Sequence, residues 1–387
     1  MNMKKYKLGD LLFEFHAGKA IQTENIKNKG AYPVYGGNGQ RGYTNSYNQN
    51  GEYLIIGRQG AYCGNVRYNI GKAYLTEHAI VGQAKENHNP IYIALKLSLM
   101  NLSQLQGQSA QPGLSVNTLS CISMEMPPKE IQDKIADIML KLDRKIELNR
   151  QINDNLEAMA KQLYDYWFVQ FDFPNEEGKP YKSSGGAMVW NEKLKREIPQ
   201  EWSDCKIKDF INLFDSKRVP LSSKDRGERQ GVYPYYGATG IMDYVNDYIF
   251  DGDYILLAED GSTSDAKGFP IVQYIWGKNW VNNHAHIILP KNERYMMFTY
   301  QMLRSIPAKQ IETGSIQKKI SQENLCGYKM VLPNSNLLEK YENVVSPLWE
   351  KRKRCIEEIN ILTKQRDELL PLLMNGQATV NYHLSAC

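Results

Sequence analysis

The chain contains two related halves. Residues 30–60 align without a gap on residues 231–261, at an offset of 201, with 12 identical residues in 31 positions. Unrelated stretches of that length share about two. The match resumes at an offset of 206, where His78-Ala79 falls on His284-Ala285. A period of roughly 200 residues is far longer than that of a solenoid repeat, so we predict a duplicated domain rather than a stacked array.

Length and composition limit the class of protein. At 387 residues the chain is too long for one ordinary core. Its six cysteines form no CxxC pair, which argues against a zinc ribbon or a disulfide framework and favours a reducing compartment. No run of about 18 apolar residues is present, and the first 20 residues lack the pattern of a secretory signal. We expect a cytoplasmic protein without membrane contact.

The net charge is only mildly basic, but it is unevenly distributed. The overall value is +4. Residues 1–128 contain 12 Lys and Arg against 7 Asp and Glu, whereas residues 198–334 contain 16 of each. This balance is compatible with nucleic-acid binding and does not require it, since an ordinary protein surface explains it equally well.

Composition and periodicity divide the chain into six segments. Two segments rich in Tyr, Gly and Asn are predicted to be domains that mix helices and strands. Each is followed by an apolar repeat typical of a long helix. The predicted segments are a first domain (1–128), a helix (129–170), a linker (171–197), a second domain (198–334), a C-terminal helix (335–375) and a tail (376–387).

Short apolar runs predict the strands of the two domains. Residues 53–56 and 254–257 follow Asn-Gly and Asp-Gly turns and are expected to be buried strands. Residues 287–289 predict a further strand, and residues 91–97 predict a helix. The predicted fold class is therefore α+β, with two globular domains of mixed helix and sheet.

The two long helices carry narrow apolar stripes. From Ile131 to Leu163 and from Leu337 to Leu373, apolar residues recur mostly every three or four positions, as in a coiled coil. Asn149 lies in this seam, and Pro347 is expected to kink or break the second helix. Antiparallel pairing of the helices would bury both stripes. The alternative is that each helix packs separately on its own domain.

Three patterns that could indicate enzymatic chemistry are weak. Residues 37–42 match GxGxxG, but the repeat loses two of these glycines and no long helix follows, so a glycine turn between strands is favoured. Residues 89–92 resemble the NPPY box of amino-methyltransferases, yet a helix start with Pro90 at its first position explains them better. His78 and His284 lack acidic residues at metal-ligand spacing in both copies, which favours structural histidines. We predict a protein that is not an enzyme and that holds no metal or cofactor.

Candidate recognition residues lie in loops whose framework is shared by both halves. The Tyr, Pro and Gly positions agree between the halves, whereas the loop tips differ. Arg and Lys suit guanine or phosphate, and Asn and Gln suit adenine, so variable tips on a constant framework would read different base sequences. The candidates are Gln40, Arg41, Asn45, Arg58, Gln59, Arg67, Gln108, Ser109, Gln111, Lys217, Arg218, Thr239, Ser264, Lys267, Ser315, Gln317, Lys318 and Lys319.

These features together resemble a known family. The matching residues are Tyr32-Pro33-Val34-Tyr35-Gly36 and its twin at 233–237, Phe171-Asp172-Phe173-Pro174 with the segment 178–186, and Ile198-Pro199 with Trp202. Over nearly its whole length the chain resembles the specificity subunit of type I restriction–modification systems.

The resemblance implies a fold and a set of partners. It implies two target-recognition domains in a pseudo-twofold arrangement, separated by two long helices that form an antiparallel coiled coil. Each domain would read one half of a split, asymmetric site in double-stranded DNA, and the helices would set the unread gap. The implied partners are two methyltransferase subunits, which carry S-adenosylmethionine, and optionally two restriction subunits, which carry ATP and Mg.

Two other functions stay open at the level of the sequence. An autonomous methyltransferase would need methyl-donor-binding residues, which the sequence does not show. A coiled-coil interaction module with two duplicated binding domains would not bind DNA at all. Salt-sensitive DNA binding separates this last hypothesis from the first.

Overall fold

The computed structural model describes residues 3–106, 113–314 and 317–380. Its contacts divide the chain into two compact units. Unit 1 consists of the residues up to Arg150 and those from Ile356 onward, and unit 2 consists of residues 151–355. Gln108, Ser109, Gln111 and Ser315, four of the predicted recognition residues, lie outside the described residues.

Unit 1 contains a four-stranded antiparallel sheet and a smaller mixed sheet. The larger sheet has the strand order Leu12–Ala17, Ala79–Ala84, Glu52–Gly57, Val66–Ile70. The smaller sheet has the order Gly39–Thr44, Tyr32–Gly36, Tyr74–Leu75, with the last pair parallel. Lys4–Lys7 pairs with Ser123–Met126. The shorter helical segments of the described part are Leu8–Leu11, Thr23–Asn25, Pro90–Ser98, Leu102–Leu105 and Val116–Ser120.

Unit 2 repeats this arrangement with additions. Its larger sheet has the order Ile211–Leu213, Ala285–Pro290, Tyr254–Ala258, Val272–Ile275, and its smaller sheet Ile241–Val245, Gln230–Tyr236, Lys278–Val281, Phe250–Asp251. Three two-stranded pairs are Ser203–Lys206 with Lys329–Leu332, Met188–Asn191 with Arg196–Pro199, and Glu312–Thr313 with Lys319–Ile320. The shorter helical segments are Asp165–Val169, Ile207–Phe210, Asp215–Lys217, Ser223–Glu228, Glu293–Tyr295, Met296–Ser305, Ala308–Gln310 and Gln322–Gly327.

The local predictions about turns and caps are confirmed. Residues 37 and 38 connect two antiparallel strands, so the GxGxxG match is a hairpin turn rather than a phosphate-binding loop. Asn89 caps the helix that begins at Pro90, because its Oδ1 accepts a hydrogen bond of 2.9 Å from the Tyr92 N–H. The apolar runs at 53–56 and 254–257 are buried strands. The pattern of mixed helix and sheet is therefore as predicted.

Two long helices contribute to both units. They span Lys129–Tyr164 and Ser335–Met374. Within unit 1, Arg366 contacts Asp143 and Glu358 contacts Asn149, so the two helices run antiparallel there. Within unit 2, Arg352 contacts Glu157 and Tyr341 contacts Ala160, again in antiparallel order. Antiparallel pairing is thus present in each unit.

Asn149 takes the predicted seam position, and the helix does not break at Pro347. Asn149 is buried and donates a 2.8 Å hydrogen bond to Glu358 Oε2. The second helix continues through Pro347 without a break. Tyr341, Val345 and Trp349 on the same helix are buried in the unit 2 core, and this packing outweighs the roughly 3 kcal/mol that an internal proline costs.

The segment predicted as a linker is folded onto unit 2. Phe171 and Phe173 are buried, and the Phe173 ring stacks on Trp202 with ring centroids 5.1 Å apart. Asp172 accepts hydrogen bonds from the backbone N–H and the hydroxyl of Ser183, both at 2.7 Å. These contacts hold the start of the segment against the unit 2 core. Across the described part of the chain, no helix combines the length and apolarity that a membrane crossing requires.

Candidate nucleic-acid interface

The duplication preserves one loop junction in each unit with the same backbone hydrogen bonds. We call it the histidine junction: residues 58, 59, 78 and 113 in unit 1, and residues 259, 260, 284 and 319 in unit 2. In unit 1 the Arg58 N–H donates to the His78 carbonyl at 2.9 Å; in unit 2 the Glu259 N–H donates to the His284 carbonyl at the same distance. Gln59 forms an isolated antiparallel β-bridge with Gly113, and Asp260 forms the equivalent bridge with Lys319. In each unit the junction joins the end of a central strand to a later segment, at Gly113 in unit 1 and at Lys319 and Ile320 in unit 2. We call this segment the late loop.

The side chains at the two junctions differ although the backbones agree. Arg58 in unit 1 is replaced by Glu259 in unit 2, which reverses the charge. Gln59 is replaced by Asp260, and each accepts a hydrogen bond from the Nδ1 of its histidine, at 3.2 Å and 2.6 Å respectively. The differing side chains are partly buried, so the same backbone is lined by different polar groups in the two units.

Unit 1 presents cations that have no acidic partner. Arg41 and Arg67 are exposed, and no carboxylate of the described residues lies within ion-pair distance of Arg41, Arg58 or Arg67. A Cβ on Gly39 would lie 1.9 Å from Arg67 Nη1, so glycine is required for the guanidinium to rest on the hairpin turn. Arg41 packs similarly close to Gly36. Arg41 thus lies on this hairpin beside the exposed Gln40, and the guanidinium of Arg67, from the strand Val66–Ile70, lies against the hairpin at Gly39.

Unit 2 neutralises three of its predicted recognition cations. Arg218 Nη1 donates to Glu259 Oε2 at 2.7 Å, and its side chain is only 13% exposed. Lys319 lies 3.2 Å from Glu259 Oε1, and Lys318 lies 3.1 Å from Glu312 Oε2. Binding to phosphate would require these cations to leave carboxylates that they already contact. Lys217 and Lys267 are exposed and have no carboxylate of the described residues within ion-pair distance.

The remaining predicted residues lie on the surface of their units. Gln40, Asn45, Thr239 and Gln317 are exposed, and Ser264 is partly buried beside Lys318, whose Nζ lies 3.4 Å from its hydroxyl. Ile241, Met242 and Tyr244 of the unit 2 hairpin are also exposed, where unit 1 carries Gln40 and Arg41. A DNA-contacting role for these residues stays a prediction.

A buried charge network in unit 2 was not predicted from the sequence. His286 is fully buried, with Nδ1 2.6 Å from Asp215 Oδ2 and Nε2 2.7 Å from the Ile320 carbonyl. Burial would raise the pKa of Asp215, but hydrogen bonds from His286 and the Ile287 N–H, with the charge of His286, hold it below its usual value.

The same network explains the position of Arg218. Asp215, Glu259 and His286 bring three possible ligand atoms within 4.8 Å of one another. The Arg218 guanidinium already lies against both carboxylates and supplies the positive charge. Burial acts to raise the pKa of Glu259, yet Arg218, His286 and Lys319 lower it overall. The network therefore joins the strand at 285–290 to the late loop at Ile320.

Comparison with known proteins gives a consistent result. The model of the type I restriction modification DNA specificity domain matches residues 1–158 and 199–340. The chain is 41% identical over 144 residues to the type I restriction enzyme EcoprrI specificity subunit of Escherichia coli, a match that covers 36% of each chain. It is 24% identical over 381 residues to the type I restriction enzyme MjaIX specificity subunit of Methanocaldococcus jannaschii, covering 87% of this chain and 84% of that relative.

A solved structure shows the same fold. The crystal structure of the type I restriction–modification system S subunit from M. genitalium superposes with a TM-score of 0.67, at 17% identity and 96% coverage of both chains. The predicted α+β class with two domains and two long helices is therefore confirmed. The relatives are named as specificity subunits, which confirms the prediction that the chain is not itself an enzyme. Because the family model matches both halves of the duplication, the chain belongs to the family of type I restriction–modification DNA specificity subunits.

Proposed function

We propose that this chain reads the two halves of a split, asymmetric site in double-stranded DNA, one half with each unit. The observation that carries the proposal is the histidine junction, whose backbone hydrogen bonds are duplicated while its side chains change charge. Arg41, Arg58 and Arg67 of unit 1 form no ion pair with a carboxylate of the described residues, and they support it because cations without acidic partners attract phosphate and guanine edges. In unit 2, exposed apolar side chains such as Ile241 and Met242 suit contact with thymine methyl groups.

The two long helices are proposed to dock the partner subunits and to set the unread gap. Helices of 36 and 40 residues are about 54 and 60 Å long at 1.5 Å per residue. Such a length corresponds to roughly 16–18 base pairs of duplex. Shortening both helices by one turn should then shorten the gap and leave the half-sites unchanged. An unchanged gap would contradict the helices' role as a spacer.

The proposed partners are two methyltransferase subunits, with two restriction subunits as an optional addition. S-adenosylmethionine would bind to the former, and ATP and Mg to the latter, in the cytoplasm where the DNA is. The test is to co-express the chain with the methyltransferase subunit of its host and to map methylated adenines across a genome. A bipartite motif that disappears without this chain is the expected result. No methylation dependent on the chain, together with no salt-sensitive DNA binding of the complex, would instead favour an interaction module that does not bind DNA.

A further inference from the structure

Each unit presents one ordered, half-exposed histidine at the histidine junction. The side chain of His78 is 46% exposed and that of His284 is 49% exposed. Both carbonyls accept a 2.9 Å hydrogen bond from the end of the central strand, so the two backbones are held in the same way. A histidine kept at the same surface position in both units, beside residues already predicted to face DNA, calls for a role beyond packing.

His284 is held from one side and free on the other. Its Nδ1 lies 2.6 Å from Asp260 Oδ1, and its backbone N–H donates to Asn282 Oδ1 at 2.8 Å. A carboxylate only accepts, so the Nδ1 carries the proton of this bond. The opposite ring nitrogen, Nε2, has no hydrogen-bond partner among the residues that the structure describes.

His286, two residues away, shows what a structural histidine looks like in this fold. It is fully buried, and each of its ring nitrogens contacts an acceptor within the unit. His284 differs in both respects, since half of its surface is exposed and one nitrogen lacks a partner. A side chain that is already held in one orientation, with one polar atom free to bind, suits recognition, because it loses little conformational entropy on binding.

Resting on the function proposed above, we propose that His284 contacts a base edge in the half-site read by unit 2, and that Asp260 is its positioning residue. The Nε2 atom of a neutral ring accepts from the amino group of adenine or cytosine, and that of a charged ring donates to guanine. His78 takes the matching position in unit 1. Its Nδ1 contacts the neutral Gln59, and its Nε2 lies 3.3 Å from Glu77 Oε1. His78 therefore lacks the open ring nitrogen of His284, and the proposal is confined to unit 2.

The test uses the full chain co-expressed with its methyltransferase subunit and a duplex carrying the mapped methylation motif. H284A should weaken binding by about tenfold, within the range of one mismatched base pair, and should relax the motif at one position of one half-site. D260A should have a similar effect through loss of orientation. D260N should retain most of the specificity, because an amide oxygen can accept the same hydrogen bond, as Gln59 does in unit 1.

Matched variants separate this role from a structural one. H78A is the matched control, because both ring nitrogens of His78 have partners within unit 1 and its loss should leave the half-site read by unit 2 unchanged. The thermal midpoint should be unchanged in H284A, since the ring is half exposed. If wild-type complexes methylate a bipartite motif while H284A leaves motif and affinity unchanged, the histidine proposal is overturned and the proposed function stands. Relaxation by D260N equal to that by D260A would overturn the positioning role of Asp260. Absence of any motif in the wild type would overturn the proposed function itself.

Discussion

The ring of His286 contacts the carboxylate of Asp215 at 2.6 Å inside unit 2, at the position where the duplicated sequence of unit 1 has Ile80. Ile80 is also fully buried. One copy of the domain thus fills this place with an apolar side chain, and the other fills it with a charged network that reaches the late loop at Ile320. At this position the two copies therefore differ in the kind of interaction that fills the interior, apolar packing in unit 1 and a hydrogen-bonded ion pair in unit 2.

Replacement of Asp215 by Ala should strongly destabilise unit 2. The change leaves His286 Nδ1 and the Ile287 N–H without their acceptor and removes one of the two carboxylates at Arg218. Removing one partner of a buried ion pair costs about 3–5 kcal/mol. Urea denaturation of wild type and variant measures the loss. D247A is the matched control, because Asp247 is exposed and its loss should cost under about 1 kcal/mol.

The contribution of Asp215 to the stability of unit 2 should also depend on pH, in the direction that its lowered pKa sets. The pKa of Asp215 is lowered from its usual 3.8 in the folded state, so its carboxylate stabilises the fold above that value. This contribution is lost as the pH falls below 3.8. The stability difference between wild type and D215A should therefore shrink in that acidic range, and a difference that grows there would contradict the network.

Glu342 should make unit 2 less stable as the pH rises through neutrality. Burial raises the pKa of this carboxyl from 4.5 to about 7, although it accepts a 2.7 Å hydrogen bond from the Phe298 N–H at the start of the helix Met296–Ser305. A folded-state pKa above the unfolded value means that stability is greatest below pH 4.5 and falls between 4.5 and about 7.

The variant E342Q tests this by removing the titration while keeping the acceptor oxygen. Between pH 5 and pH 8, the wild type should lose up to about 3 kcal/mol relative to E342Q, as measured by chemical denaturation at both pH values. E339Q is a suitable control, because Glu339 lies on the exposed face of the same helix. Parallel pH profiles for wild type and E342Q would contradict the prediction.

Within unit 1, Asp143 should link Tyr68 of the larger sheet to Arg366 of the C-terminal helix. The Tyr68 hydroxyl and Arg366 Nη1 both donate to this carboxylate, the latter at 3.0 Å. Burial raises the pKa of Tyr68 and the acceptor Asp143 raises it further, so the phenol stays a donor. A double-mutant cycle of Y68F and D143A should give a coupling free energy of about 1–2 kcal/mol. Additive effects of the two changes would show that the contact contributes nothing.

Loss of unpaired arginines should reduce the salt dependence of DNA binding. If Arg41 and Arg67 contact phosphates, the double variant R41A/R67A should lower the slope of log affinity against log salt by nearly 2. K318A is the matched control, because Lys318 lies against Glu312 and should change the slope little. Titrations of the complex at several salt concentrations give both slopes. An unchanged slope in R41A/R67A would assign these arginines to base contacts or to none.

The fold could be predicted from the sequence where the pattern was local or repeated. Offsets of 201 and 206 aligned the two units, and the caps at Asn89 and the turn at 37–38 followed from residue type alone. Residue type alone left a kink or a break open at Pro347, because propensity says nothing about the core that Trp349 and its neighbours provide. The folded segment after the first helix was unexpected for the same reason, since its polar composition concealed two buried phenylalanines.

The candidate site was only partly accessible from the sequence. Arg41 and Arg67 were found by residue type, and the side chains of both pack against the hairpin strand ends at Gly36 and Gly39. Arg218 and Lys319 looked equally available, yet they contact Glu259, which lies 41 and 60 positions away along the chain. Such ion pairs depend on strand register and cannot be inferred from composition. The signal for His284 was present, because the repeat aligns it with His78, but its free ring nitrogen is visible only in three dimensions.

The two units differ in how the chain builds them. Unit 2 is one uninterrupted stretch, whereas unit 1 needs both ends of the polypeptide, with Leu373 and Met374 buried in its core. A genetic exchange that replaces residues 151–355 would therefore import a complete unit 2 in one crossover pair and leave unit 1 intact. Replacing unit 1 would need compatible pieces from two distant parts of the gene. If each unit reads DNA as proposed, novelty in target choice should therefore enter more easily through the middle of this coding sequence than through its beginning.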